Sequence, residues 1–192
     1  MNYRFRNILT LALCSILPCL MHSSCGYQSG SSLLIKKYKT ISIPYVEGDR
    51  EGHLTAEVAK QIASLGNLKY QADAGDLWLK IETVSSQRKA IGFRHTRDID
   101  GNLTKNISPT EDRLLQEVVI SVIESESGQV ILGPATIKAT IDYDYEASVY
   151  KKPVLHESLG QLDQPLEAAT LAHYPLYREL AKRIAYFVYH SK

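Results

Sequence analysis

The sequence predicts an α+β domain, with two helices packed on one face of a four-stranded mixed sheet in the order β-α-β-β-β-α. Three observations predict it. Apolar residues alternate with period two at 39–46, 76–84 and 135–146, as in half-buried strands. They change to helical spacing at 49–67 and 164–192. All three cysteines (Cys14, Cys19 and Cys25) lie in the first 25 of 192 residues, so the remaining chain must be held by a core, with no disulfide framework and no thiol nucleophile.

The N-terminus has its own pattern. Arg4 and Arg6 precede a 14-residue apolar run, 8–21, which is followed by "HSSCG". This is the layout of a secretory signal, and the run is shorter than the roughly 20 residues of a membrane span. Residues 22–25 resemble the lipobox of bacterial lipoproteins, with His22 where Leu is usual. In that class the cysteine is acylated and the peptide is cut before it. The organisation expected is therefore a signal peptide over 1–24, a lipidated Gly/Ser-rich tether over 25–34 with Cys25 as the attachment point, and one domain over 35–192. Two or three acyl chains make a stable anchor where one alone is marginal. Gly26 after the cysteine, by resemblance to enterobacterial lipoproteins, favours the outer membrane.

Within the domain, "KTISIPYV" (39–46) puts Ile41, Ile43 and Tyr45 on one face, and Pro44 places the strand at an edge or ends it. Leu54, Val58, Ile62 and Leu65 form the stripe of the first helix, with Gly66-Asn67 as its stop. "DLWLKIETV" (76–84) returns to period two through Leu77, Leu79 and Ile81. Strand, helix, strand in that order predicts a parallel pair with a right-handed crossover. Extended chain continues to residue 97, Asp100-Gly101 is a hairpin signal, and 102–112 reads as loop. "RLLQEVVISVIES" is a β-branched strand, "ESGQ" a turn, and "ATIKATIDYDYE" the cleanest strand, with Ala135, Ile137, Ala139, Ile141, Tyr143 and Tyr145 facing the core. After irregular residues 147–163, Pro165 opens the final helix. Leu176, Leu180, Ile184 and Phe187 are its buried stripe, and Pro175 kinks or restarts it near His173. With both helices on one side, the other sheet face stays polar and available.

Charge excludes one class of function. The formal net charge is +1, and without residues 1–24 there are 20 Lys and Arg against 21 Asp and Glu, so a nucleic-acid partner is not expected. The signatures of metal or nucleophilic catalysis are missing. "HESLG" (156–160) begins like a zinc protease helix but has Gly160 where the second His is needed, and the six histidines are scattered. Asp142, Asp144 and Glu146 line one strand face and read as a solvated surface. The expectation is a non-enzymatic binding or assembly protein with no cofactor and no metal.

Three stretches carry a resemblance to a known family. "CGYQ" opens the mature chain, "YKTISIPYVEGDREGHLTAEVAKQIAS" follows, and "GPATIKATIDYDYEAS" with "SLGQLDQPLEAATLAHYPLYRELAKRI" closes it. Together they resemble the LptE-type lipopolysaccharide-assembly lipoproteins, especially the divergent branch of chlamydiae and planctomycetes. The resemblance implies a lipid-anchored protein of the outer membrane, on its periplasmic side. It would plug and help assemble a β-barrel translocon (LptD-like) and bind lipopolysaccharide. It also implies two helices on a four-stranded sheet. Lipid A phosphates need cations, and Arg88, Lys89, Arg94, Arg97 and Lys138 lie on or near strand ends or on the polar face. A lipid-anchored periplasmic regulator of a cell-wall synthase is the alternative reading.

Overall fold

The computed structural model describes residues 33–98, 100–145 and 165–191. The signal peptide, Cys25, most of the tether and the irregular stretch 147–163 lie outside the described residues. Within them the order is α1 (Leu33–Lys37), β1 (Thr40–Ser42), α2 (His53–Leu65), β2 (Lys69–Gln71), β3 (Leu77–Arg97), β4 (Leu103–Glu124), β5 (Val130–Asp144) and α3 (Pro165–His190). The strands form one mixed sheet in the order β2-β1-β3-β4-β5, with β1 parallel to both β2 and β3 and the rest antiparallel.

The α+β class and the mixed sheet are as expected. The sheet, however, has five strands rather than four. The added strand, β2, spans three residues, too few for a period to show, and it is set by pairing Thr40–Ser42 with Lys69–Gln71. A short helix, α1, begins where the tether was expected to continue. The predicted first strand shortens to Thr40–Ser42. Pro44 does end it, but at an interior position of the sheet, between β2 and β3. Past Ile43 the alternation fails, so Tyr45 is exposed while Val46 is buried.

The largest correction concerns residues 102–112, expected as loop: all but Asn102 are strand. β4 runs from Leu103 and pairs with β3 from Arg97↔Leu103 to Leu77↔Glu124. No alternation shows in 103–110 because neither helix covers that part of the ribbon, so both faces are wet. β3 spans 21 residues, roughly 70 Å at about 3.4 Å each. The turn that joins it to β4 is built on Asp98, whose carboxylate accepts the amides of Asp100 and Asn102, with Gly101 at φ 85°.

The core sits between the helices and one sheet face. Leu54, Val58 and Ile62 of α2 are fully buried, as are Leu176, Leu180 and Ile184 of α3. Each such side chain contributes on the order of 2 kcal/mol by leaving water. They pack on Ile41, Leu77, Leu79, Val118, Ile120 and Val122. Leu65 is exposed, because the helix stripe ends before Gly66 closes it in the left-handed region. Phe187 is only partly buried. α3 continues through Pro175 as one 26-residue helix with no restart at His173. Its alanines at 168, 169, 172, 181 and 185 allow close approach, and the Tyr189 hydroxyl donates to the Ile62 carbonyl at 3.1 Å, joining the two long helices.

Candidate binding surface

Strand register decides which side chains meet on the open face. Side chains alternate across a strand, so the buried set Leu114, Val118, Ile120 and Val122 fixes the helix side of β4. Arg113, Leu115, Glu117, Val119, Ser121 and Ile123 then face away from the helices. Across the ladder they meet Trp78, Lys80, Glu82, Ser85, Gln87 and Lys89 on β3, and Thr136, Lys138, Thr140 and Asp142 on β5.

This face is less polar than expected. Leu115, Val119 and Ile123 are half-buried on it, and Trp78 and Val130 are 43% and 47% exposed at one end. Its charges are already matched. Lys138 Nζ lies 2.6 Å from Glu117, Lys80 pairs with Glu82, and Arg113 holds Asp142 through two bonds of 2.6 and 2.7 Å. The bond from Arg113 keeps the Asp142 carboxyl below the usual range and raises the Arg113 guanidinium in return. Exposed pairs of this kind contribute under about 1 kcal/mol each. Their main effect is to leave a neutral, mixed surface.

The five predicted cations do not form one cluster. Arg88 points to the helix side, opposite Leu114, and its Nε lies 3.5 Å from buried Asp112. Asp112 also accepts the hydroxyls of Tyr145 at 3.1 Å and Tyr143 at 3.3 Å. Burial raises both phenols above their ordinary value. This is a closed polar group at the end of the core. Lys138 is engaged by Glu117, and Arg97 donates to the Gly101 carbonyl at 2.6 Å within the turn. Lys89 lies on the open face opposite Arg113, and Arg94 lies on the ribbon opposite Ser108. Among the described residues neither has an ion-pair partner.

A second cationic place was not foreseen. A groove of about 430 Å³ between α3 and β5 is lined by Thr140, Ile141, Pro175, Arg178, Glu179, Lys182 and Arg183. Arg183 donates to the Lys138 carbonyl at 3.1 Å and to Glu179 at 2.8 Å. The spacing of Arg178 and Lys182, one helical turn apart, was the sequence signal that could have shown it. Among the described residues no group of three or more His, Cys, Asp or Glu could hold a metal ion.

The opposite end of the sheet is where the described chain begins. Glu124 accepts from Ser127 Oγ at 2.6 Å, from Tyr38 and from Lys37 Nζ at 2.9 Å, so α1 is stitched to the end of β4. Those bonds, the Ser127 hydroxyl foremost, pull the Glu124 carboxyl down to about 2. A carboxyl lowered in the fold stabilises above its unfolded value, about 4.5, and that contribution is lost as pH falls through about 2. Acid titration between these values is expected to detach α1. Trp78, the chain's only tryptophan, stands opposite Ile123 beside this site and reports the change by fluorescence. The step should be absent from a Glu124→Gln variant. An identical titration in that variant would remove Glu124 as the cause.

No protein-family model and no characterised protein sequence matches the chain. Solved structures do. A minor lipoprotein from Acinetobacter baumannii is 14% identical, with 77% of this chain and 88% of that chain covered and a TM-score of 0.45. The rare lipoprotein B from Shewanella oneidensis is 20% identical over 76% of this chain and 90% of that chain, at 0.43. The hypothetical protein CT253 from Chlamydia trachomatis is 11% identical over 79% of this chain and 98% of that chain, at 0.42. At these scores no functional conclusion is drawn from the likeness.

Proposed function

We propose that this chain is a non-enzymatic outer-membrane lipoprotein of lipopolysaccharide assembly. Cys25 carries the acyl anchor, and the domain faces the periplasm. There it binds lipopolysaccharide and seats in a β-barrel translocon that it helps to assemble. The observation that carries this reading is the open sheet face. Helices cover one side only, and the other presents half-buried Leu115, Val119 and Ile123 among charges that neutralise each other. Such a surface suits packing against protein, where charges brought without partners would be costly. The cysteine-free body behind a cut-and-acylate motif and the family resemblance of the sequence support the same reading. Within it, Lys89 and Arg94 take over the role first given to all five cations, because Arg88, Arg97 and Lys138 already have protein partners.

The test is direct binding. The chain from residue 33 onward, mixed with purified lipopolysaccharide and resolved on a gradient, is expected to co-migrate with it. Separate migration at all concentrations would count against the ligand assigned here.

A further inference from the structure

We infer that the tip of the β3–β4 ribbon, residues 93–98 and 100–110, docks on an anionic bilayer surface. The inference goes beyond lipopolysaccharide binding and barrel docking: it adds an apolar ribbon tip to Lys89 and Arg94, the cations that the proposed function also uses.

β5 ends at Asp144, opposite Glu111, and Gly92 is the β3 partner of Glu111. Beyond that pair, among the described residues, only the Tyr145 amide still bonds to the ribbon, at the Thr110 carbonyl (3.0 Å), and β3 and β4 continue as a two-stranded ribbon. Phe93 pairs with Pro109, His95 with Ile107, and Arg97 with Leu103. Positions 107 and 109 fall on one side of β4, so Phe93 and Ile107 share a ribbon face, and Leu103 lies past the register shift at 95/97, beside the turn. Phe93, Leu103 and Ile107 are 61%, 64% and 57% exposed. Three large apolar side chains together on a free ribbon tip, where polar residues are the rule, mark a contact surface.

The charge around them is one-sided. Neither strand carries an acidic residue from Thr83 to Arg97 or from Leu103 to Thr110, while Arg88, Lys89, Arg94, Arg97 and Lys105 do carry charge. Lys89, Arg94 and Lys105 have no ion-pair partner among the described residues. The carboxylates nearby are Asp98 and Asp100 in the turn, where Asp98 accepts the Asp100 and Asn102 amides, and Glu111 and Asp112 at the base of the ribbon, where Asp112 is paired with Arg88. Apolar side chains that enter the acyl boundary, flanked by cations that meet lipid phosphates, are the chemistry of an anionic membrane surface. A partner strand is the less suitable occupant. The β3 edge is interrupted by register shifts at 90/92, 92/93 and 95/97 and carries cations, both of which blunt strand addition.

The test uses the chain from residue 33 onward, which holds every described residue of the core. It is sedimented with vesicles of phosphatidylethanolamine and phosphatidylglycerol, and with phosphatidylcholine vesicles as the neutral control. Binding is expected to the anionic vesicles only and to weaken as salt rises. A Phe93→Ser, Leu103→Ser, Ile107→Ser triple variant and a Lys89→Glu, Arg94→Glu variant should each lose about tenfold or more in partition. These positions are outside the core, and an unchanged circular dichroism spectrum confirms the fold. No partition into anionic vesicles, or unchanged partition in both variants, overturns the inference. Capture by lipopolysaccharide micelles without vesicle binding also overturns it and leaves the proposed function standing. Vesicle binding without lipopolysaccharide binding supports it and contradicts the ligand in that function.

Discussion

Cys25→Ala is expected to abolish acylation and to convert the protein from one retained in membranes to one released from them. The body offers no replacement thiol, because residues 26–192 contain no cysteine. It also offers no second way to stay embedded through a helix, since no helix of the described residues is long and apolar enough to cross a membrane. Two or three acyl chains hold a protein firmly, and removing them costs many orders of magnitude in partition. If the ribbon tip meets anionic lipid, what remains on membranes in this variant is weak and washes off with salt. Metabolic labelling with a fatty acid, followed by fractionation, reads both effects. Persistent label in the variant, or absence of label from the native chain, removes Cys25 as the attachment site. The domain should fold as before, since its core begins at Tyr38.

Gly75→Ala is expected to be among the most destabilising single-methyl changes in the domain. A Cβ at residue 75 would stand 2.6 Å from the Ser42 amide nitrogen and 2.8 Å from the Ile41 carbonyl carbon. Both belong to the backbone of β1, which cannot rotate away as a side chain can. The same corner is tied on either side. The Gly75 carbonyl accepts Ser125 Oγ, and the Asp76 carboxylate accepts the amides of Lys39 and Thr40, each at 3.0 Å. The methyl therefore has to push β1 away from β3, where pairing is confined to Ile41↔Leu77 and Ser42↔Trp78. Overpacking against backbone costs about 3 kcal/mol, which lowers the melting temperature of a domain this size by about 10 °C. Gly66→Ala serves as the comparison. It has open space around it but a left-handed φ of 69°, so it should cost only about 1 kcal/mol. Equal melting temperatures for native and Gly75→Ala proteins would show that β1 moves freely at this corner.

The parts of the fold legible in the sequence are those where one face is buried and the other wet. Leu77, Leu79 and Ile81, the alternating residues of β5, and Leu176, Leu180 and Ile184 declare their elements because burial imposes the period. β2 did not, since its three residues are largely exposed and its extended form follows from pairing with β1, distant in sequence, and not from its own pattern. Residues 103–110 did not either, because a two-stranded ribbon without a covering helix places no demand on either face. The binding surface was legible only in part. Composition pointed to Arg88, Lys89, Arg94, Arg97 and Lys138, but a bulge between Thr83 and Ser85 shifts the register and turns Arg88 to the helix side, toward Asp112. No single-strand pattern carries that information. Nor does it carry the partnering of Lys138 by Glu117, which depends on the β4–β5 register.

The most direct test of the central claim is purification of the native protein from detergent-solubilised membranes, followed by identification of what comes with it. The expected result is a stoichiometric outer-membrane β-barrel protein that carries lipopolysaccharide. Recovery of a penicillin-binding cell-wall synthase in its place, with no barrel protein, would contradict it.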